Sequence, residues 1–201
     1  MAPGPPRLVL ASSSTARLRI LREAGFHPEV VPSGADEEFG DLPTARAVLV
    51  IAERKAETVA PEFDHALVLG CDSMLDIDGT TLGKPPTPAV AADMWRRLSG
   101  RDATLYTGHC LIDTRSGERI REVAATVLRF AAPSEEEIAA YVATGEPLQM
   151  AGAFGLEGRS GPFIEGIEGD PSNVRGLSLP LLRRMLDRLG LSVVELWSEH
   201  T

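Results

Sequence analysis

An uninterrupted apolar run near the middle of the chain limits the possible fold most strongly. Residues 66–71 read Ala-Leu-Val-Leu-Gly-Cys, and the run stops at Asp72. A strand this apolar belongs inside a sheet that helices cover on both faces. Ligands of open α/β sheets bind beyond the carboxyl ends of such strands, so Asp72 is a candidate ligand of a metal ion or a water molecule. The alternative is that Asp72 only forms a turn.

The remaining segments show strand and helix patterns in an order that is compatible with an α/β fold. Strands are predicted over residues 7–12, 26–32, 66–71, 74–77, 80–82, 103–114, 119–130 and 192–197. Helices are predicted over residues 15–24, 44–60, 88–99 and 180–190, and a capping box at Ser134 predicts one more. The Gly-rich stretch 151–173 predicts a binding loop, with disorder as the alternative.

Composition excludes several classes of protein. With 201 residues, 43% hydrophobic and 24% charged, the chain is predicted to form one globular domain over residues 1–201. It has no apolar stretch of the roughly 18 residues that a membrane span needs, and its first six residues lack a signal-peptide pattern, so we expect a cytoplasmic protein. A net charge of -9 argues against nucleic-acid binding, and an anionic substrate would need a local basic pocket.

The cysteines and histidines show no metal-binding spacing. Cys71 and Cys110 form no CxxC pair, so both are predicted to be core residues. No HxH or HxxxH spacing occurs, so no chemistry is assigned to any histidine. The four histidines are His27, His65, His109 and His200.

The first predicted strand and helix together indicate an anion site. Ser12, Ser13 and Ser14 lie between them, and the free N–H groups at a helix N-terminus attract anions. Arg17 falls in the first helical turn and would add positive charge. The plainer interpretation is that the serines only cap the helix and that Arg17 is solvated.

Only two of the 20 basic residues are lysines, Lys55 and Lys84. A compact ammonium fits where a planar guanidinium does not, so both lysines are candidate residues of a functional site. The alternative is that the two lysines remain only by chance. Lys55 falls on the apolar stripe of its predicted helix. Its ammonium either extends to the solvent at the rim of that buried face or points into a site. Lys84 follows a hairpin turn at Asp78-Gly79, with a spacing that does not match a Walker P-loop.

Carboxylates at Glu37 and Asp72, with cations at Arg17, Lys55 and Lys84, are the groups that phosphate-ester hydrolysis needs. The carboxylates would hold a metal ion and its water, and the cations would neutralise phosphate oxygens. The chain has no GxSxG nucleophile elbow, which disfavours covalent hydrolase chemistry.

Successive motifs resemble those of the Maf family: LASSS at residues 10–14, LGCDS at 69–73 and GKP at 83–85. Further matches at residues 53–56, 98–100, 106–108, 151–154 and 176–180 extend the resemblance over almost the whole chain. The resemblance implies an elongated α/β fold like that of inosine triphosphate pyrophosphatases, with a mixed, twisted sheet flanked by helices and two lobes around a central cleft. It also suggests a homodimer.

The resemblance implies a nucleoside triphosphate pyrophosphatase, a hydrolase that cuts between the α and β phosphates and removes unwanted nucleotides from the pool. Mg²⁺ or Mn²⁺ would serve as the metal. Asp72 would be the proton acceptor or a metal ligand, and Glu37 a second carboxylate for the metal or its water, with the division between them left open. The residues it assigns to catalysis are Asp72, Glu37, Lys84 and Lys55, and those it assigns to substrate binding are Ser12, Arg17, Ser73 and Glu157.

Departures from the family pattern bear on the choice of base. Thr15 and Ala16 replace the Pro and the first Arg of the usual Ser-Pro-Arg-Arg. Glu157 and Ser73 stand where the branch acting on dTTP and UTP usually has Gln and often has Thr. Glu157 and the missing first Arg look closer to the branch that hydrolyses 7-methyl-GTP, and a broad specificity fits equally well. Two other classes remain open: a nucleotide-binding regulator of septum formation without turnover, and a nucleotidyl or sugar-nucleotide transferase.

Overall fold

A computed structural model of the chain describes residues 6–197, which contain seven strands and six α-helices. The strands are β1 (Arg7–Leu10), β2 (Glu29–Val30), β3 (Ala66–Ile77), β4 (Thr80–Leu82), β5 (Asp102–Asp113), β6 (Arg119–Phe130) and β7 (Ile164–Glu168). The helices are α1 (Thr15–Glu23), α2 (Thr44–Val59), α3 (Pro88–Leu98), α4 (Glu135–Ala143), α5 (Pro171–Val174) and α6 (Leu179–Arg188). The predicted helices are confirmed to within one or two residues.

The strands form one open, mixed sheet in the order β2-β1-β3-β5-β6-β7, with β4 paired to β3. β1 runs parallel to β2 and β3, and every other pair is antiparallel. Helices flank the sheet, so the expected mixed α/β architecture is confirmed. In the described range, no helix is long and apolar enough to cross a membrane.

Three strands of twelve residues, β3, β5 and β6, run through two hydrophobic clusters and connect two lobes. The first cluster packs α1 and α6 against one half of these strands, including Leu67, Leu69 and Leu111. The second packs α3 and α4 against the other half, including Leu75 and Leu105. Residues near the middle of β3 and β5 therefore lie between the lobes.

The opposite face of the sheet contacts α2 at very short range. A Cβ atom on Gly70 would lie 2.1 Å from the carbonyl oxygen of Ala52, and one on Gly108 would lie 2.2 Å from that of Val48. The two glycines thus let the backbone of α2 lie directly on β3 and β5. This contact brings side chains of α2 within reach of the middle of β3.

The prediction that the central strand ends before Asp72 is wrong. β3 continues to Ile77, and Asp72 pairs with Gly108 in the middle of the ladder to β5. A carboxylate is tolerated at this buried strand position because Lys55 of α2 contacts it. Asp72 therefore does not follow a strand, and the turn-former alternative is also excluded.

Two other strand predictions and one loop prediction need correction. Within residues 26–32 only β2 is a strand, and the predicted strand over residues 192–197 is instead a 3-10 turn, Val193–Leu196, whose Ser192–Glu195 capping box favours helical geometry. Trp197 makes only an isolated bridge to Phe26. Residues 151–173 are not irregular throughout, since they contain β7 and the start of α5. Residues 1–5 and His200 lie outside the described range.

Candidate functional site

Part of one edge of β3 has no strand beside it. On its other edge β3 pairs with β5 over residues 67–76. On this edge β1 pairs with residues 66–69 and β4 with residues 75–77, so residues 70–74 lack a strand neighbour here within the described chain. We call residues 70–74 of β3 the β3 gap. The chain leaving β1 and the chain leaving β4 approach it from opposite ends.

Asp72, Lys55 and Glu37 meet on the α2 side of the β3 gap. The ammonium of Lys55 donates a hydrogen bond to Oδ1 of Asp72 at 2.7 Å and lies 2.6 Å from Oε1 of Glu37. Lys55 and Asp72 are 7% and 8% exposed, whereas the Glu37 side chain is 64% exposed. The ammonium of Lys55 thus points into the site, and it brings a buried and an accessible carboxylate together.

Arg54 holds the irregular segment that carries Glu37. Its guanidinium Nη1 donates hydrogen bonds to the carbonyl oxygen of Asp36, at 3.4 Å, and to that of Glu38. These two carbonyls flank Glu37 in sequence, and Arg54 precedes Lys55 on α2. Helix α2 therefore positions both the Glu37 backbone and the ammonium that its carboxylate contacts.

Arg17, Ser12 and Ser73 meet on the other side of the β3 gap. Consecutive strand residues point to opposite faces of a sheet, so Ser73 faces away from Asp72 and toward α1. The guanidinium of Arg17 donates to Oγ of Ser12 at 3.2 Å and to Oγ of Ser73 at 3.1 Å. Its Nε donates to the carbonyl oxygen of Gly176 at 2.8 Å. The β3 gap thus has charged groups on both faces of the sheet.

The guanidinium of Arg17 is buried without a counter-charge. Arg17 is 8% exposed, and no carboxylate of residues 6–197 lies within 4.0 Å of it. Burial of an uncompensated charge is unfavourable, and uncharged acceptors offset this only in part. Arg17 also lies in the first turn of α1, where the helix dipole favours negative charge. Both features favour the binding of an anion at this end of the gap.

Lys84 approaches the β3 gap from its other end. It lies two residues beyond β4, and the antiparallel register of β4 on β3, if continued, would bring Lys84 level with Ser73. Its side chain is exposed, and among the described residues no carboxylate forms a salt bridge with it. The structure therefore leaves the Lys84 ammonium free for a ligand.

Glu157 belongs to a closed ring of four alternating charges. One of its oxygens contacts the guanidinium of Arg19, and the other lies 2.7 Å from Nε of Arg175. Glu23 completes the ring, at 2.7 Å from Arg175 and 3.4 Å from Arg19. Arg19 and Glu23 lie on α1, the helix that carries Arg17, and Arg175 precedes Gly176, whose carbonyl accepts from Arg17. Glu157 thus lies beside the Arg17 end of the site with both oxygens paired.

A buried polar cluster that was not predicted from the sequence lies beneath Arg17. Thr107 and His109 of β5 are both 0% exposed, and the two hydroxyls of Thr107 and Ser73 lie 2.9 Å apart. Burial, and after it the charge of Arg17, lower the pKa of His109 from 6.5 to about 4, so the imidazole is neutral. The sequence did contain a signal for this cluster. Side chains of a strand alternate between its two faces, and this alternation puts Thr107 and His109 of β5 on the same face as the apolar Leu105 and Leu111.

Two further features do not belong to the site. Cys71 and Cys110 are buried free thiols, as predicted, and burial raises the pKa of each to about 12, which keeps them protonated. A surface cavity of about 460 Å³ lies between the start of β1 and Trp197, lined among others by Arg7 and Glu29. It contains none of the predicted site residues, and its arginine already faces Glu29.

Comparison with known proteins identifies the family of the chain. A family model described as "Maf-like protein" matches residues 7–189. A "Nucleoside triphosphate pyrophosphatase" of Streptomyces coelicolor is 57% identical over 202 residues, covering 98% of each chain. Proteins of the same name from Streptomyces avermitilis and Salinispora tropica are 55% and 50% identical, covering 96% and 98% of this chain and 95% and 90% of their own. The chain therefore belongs to the Maf family.

Proposed function

We propose that the chain, as one domain, hydrolyses nucleoside triphosphates to nucleoside monophosphates and pyrophosphate. Family membership and the names of the similar proteins support this activity. The structural observation that carries it is the buried guanidinium of Arg17, which has no counter-charge among residues 6–197 and shares the β3 gap with the Asp72–Lys55–Glu37 cluster. A polyphosphate bound along the gap would supply the missing negative charge.

Asp72 and Glu37 have the chemistry to hold Mg²⁺ or Mn²⁺. Lys55 contacts Oε1 of Glu37 and Oδ1 of Asp72, so the other oxygen of each carboxylate is the one that would hold the metal. Mg²⁺ commonly binds to one or two carboxylates, with water and substrate phosphates as further ligands. The described residues contain no group of three His, Cys, Asp or Glu ligands, which agrees with a metal that arrives with the triphosphate. The bound metal would polarise the α-phosphate and lower the pKa of its water.

The protein residues have separate roles in the proposed reaction. A water oxygen attacks the α-phosphorus, and the bond from that phosphorus to the bridging oxygen breaks, so the bridging oxygen leaves with pyrophosphate. Asp72 accepts the proton of the water, and the ammonium of Lys55 beside it stabilises the negative charge that develops. Arg17, Ser12 and Lys84 bind oxygens of the triphosphate, and Ser73 orients Arg17.

The test is a panel of canonical and modified nucleoside triphosphates, incubated with Mg²⁺ or Mn²⁺, with monophosphate and pyrophosphate measured together. We expect equal amounts of both products from the wild type. Asp72→Asn should reduce turnover by about 100-fold or more, because it removes the proton acceptor and a metal ligand. Asp102→Asn is the matched control, since this carboxylate lies on the same sheet but is exposed beside Arg129.

Other products would support the other classes. Tight binding without turnover across the panel would contradict the proposal and favour a nucleotide-binding regulator. A nucleotide retained in the product of a second substrate would indicate a transferase. The homodimer implied by the family resemblance and the cytoplasmic location expected from the sequence remain part of the proposal, and light scattering after size exclusion tests the former.

The panel also tests the choice of base. Glu157 is proposed to contact the base. Each of its oxygens is paired with an arginine, but each can accept a second hydrogen bond and the side chain is 47% exposed. If Glu157 recognises a cationic or amino-bearing base, 7-methyl-GTP should have the lowest KM, and Glu157→Gln should raise that KM selectively. Similar KM values for all bases would indicate broad specificity.

A further inference from the structure

The hydrogen bond from Arg17 to Gly176 depends on a turn that β5 holds from below. The carbonyl of Gly176 is the acceptor closest to the guanidinium, at 2.8 Å, and Gly176 has a φ of +102° in the short connection between α5 and α6. A backbone carbonyl in such a connection has no regular ladder to fix it. Its position must come from contacts of the neighbouring residues.

Those contacts lie on both sides of Gly176. Before it, the Asn173 side chain donates to the carbonyl oxygen of Leu105 at 3.2 Å and to Oγ1 of Thr126 at 3.1 Å. After it, the backbone N–H of Ser178 donates to Nε2 of His109 at 2.9 Å. The turn is therefore held to the sheet three residues before and two residues after the carbonyl that binds Arg17.

His109 can make its contact in only one protonation state. Nε2 accepts from Ser178, so the proton of the neutral ring is on Nδ1, which donates to the carbonyl oxygen of Thr107 at 3.1 Å. A doubly protonated ring would lose the bond to Ser178 and would place a second cation near Arg17. Burial keeps the ring neutral by lowering its pKa to about 4.

We propose that His109 is a positioning residue for the triphosphate site: it holds the 176–178 turn so that the Gly176 carbonyl directs the guanidinium of Arg17 toward the substrate phosphates. This inference rests on the proposed function. It explains why a buried histidine with no access to substrate lies on the apolar face of β5 and uses both ring nitrogens.

The test compares His109→Leu with His109→Gln. Leucine removes both hydrogen bonds, whereas the glutamine amide can accept from Ser178 and donate to the Thr107 carbonyl. The measurements are the Kd of a non-cleavable α,β-methylene nucleoside triphosphate by calorimetry, and KM and kcat for the best substrate of the panel. For His109→Leu we expect Kd and KM to rise about tenfold with kcat within about twofold, because Arg17 holds phosphate before and during reaction. His109→Gln should restore both constants to within about threefold of the wild type.

Gly176→Ala provides a second, independent variant. It leaves the imidazole intact but strains the turn, since φ is +102° and the new Cβ would meet Nε of Arg17 at 3.4 Å. The same rise in Kd and KM is expected. Wild-type Kd values in Gly176→Ala, or in a folded His109→Leu, would overturn the proposal, and if His109→Leu fails to fold, Gly176→Ala decides alone. A wild type that binds the analogue without turnover refutes the proposed function, yet the comparison of Kd values still decides the role of His109.

Discussion

Gly108→Ala is expected to push α2 away from the sheet. The new Cβ would lie 2.2 Å from the carbonyl oxygen of Val48 and 2.6 Å from the backbone nitrogen of Leu49. Both are helix backbone atoms, which cannot rotate away as the end of a side chain can. To reach ordinary contact near 3.4 Å, the helix must retreat by about 1 Å at this point.

This displacement opens the interface between α2 and the sheet, in which six apolar side chains of the helix are fully or nearly fully buried. They are Ala47, Val48, Ile51, Ala52, Ala56 and Val59. Gaps of this size forfeit about a quarter to a half of each dispersion contact across them. Together with the steric strain, which alone reaches roughly 1–3 kcal/mol, we expect a loss of about 3 kcal/mol in the free energy of unfolding. For a chain of this length that lowers Tm by roughly 6–12 °C.

Calorimetry or circular dichroism melts of Gly108→Ala measure this effect, and Gly83→Ala is the control. A Cβ on Gly83 would meet no heavy atom within 4 Å, so its Tm should stay close to that of the wild type. KM and kcat of Gly108→Ala should also worsen, because Lys55 moves with α2 away from Asp72. A Tm for Gly108→Ala within about 2 °C of the wild type would refute the reasoning that backbone contact at this glycine fixes the helix.

Three further predictions concern stability. The pKa of His109 is about 4 in the folded chain, below its ordinary value of 6.5. As pH falls from 6.5 to 4, the unfolded chain therefore binds a proton at this residue that the folded chain does not bind. The free energy of unfolding should lose about 3 kcal/mol over that window, and urea titrations should show a shallower fall in His109→Gln. Ser134→Ala removes the capping box of α4 and should cost about 1 kcal/mol without changing KM, because α4 lies away from the β3 gap. Lys55→Met leaves the Asp72 carboxylate buried and unpaired, which should lower the free energy of unfolding by about 3 kcal/mol. A double-mutant cycle with Asp72→Asn should show a coupling energy of about 2 kcal/mol. Additive effects of the two substitutions would contradict a direct ion pair.

Local patterns predicted most of the secondary structure because their causes are local. The helix starts depended on side-chain caps such as Ser14 and Ser134, each of which accepts the expected backbone hydrogen bond. The β3–β4 hairpin followed from Asp78-Gly79, where both residues have positive φ. The predictions failed where a strand depended on a partner: β2 is shorter than its apolar pattern, and residues 192–197 found no strand to pair with among those described.

Some of the site could also be predicted from the sequence. Residue chemistry singled out Asp72, Glu37, Lys55 and Arg17, and the structure brings the first three into contact and places Arg17 on the opposite face of the same gap. Thr107 and His109 were missed because their pattern is that of an ordinary buried strand. Their polar partners, Ser73 and Ser178, are 34 and 69 residues away in sequence.

By itself, the sequence determined the types and approximate limits of most elements, the supply of carboxylates and cations, and the family that the chain resembles, since these depend on residue type and short spacing. Only the tertiary structure decided that Asp72 lies inside a strand and that it and Ser73 face opposite sides of the sheet. It also decided where β3 lacks a strand neighbour on one edge, because β1 ends at Leu10 and β4 pairs no further than Leu75. Strand pairing over long sequence distances sets these positions, and no local pattern encodes where one strand stops beside another.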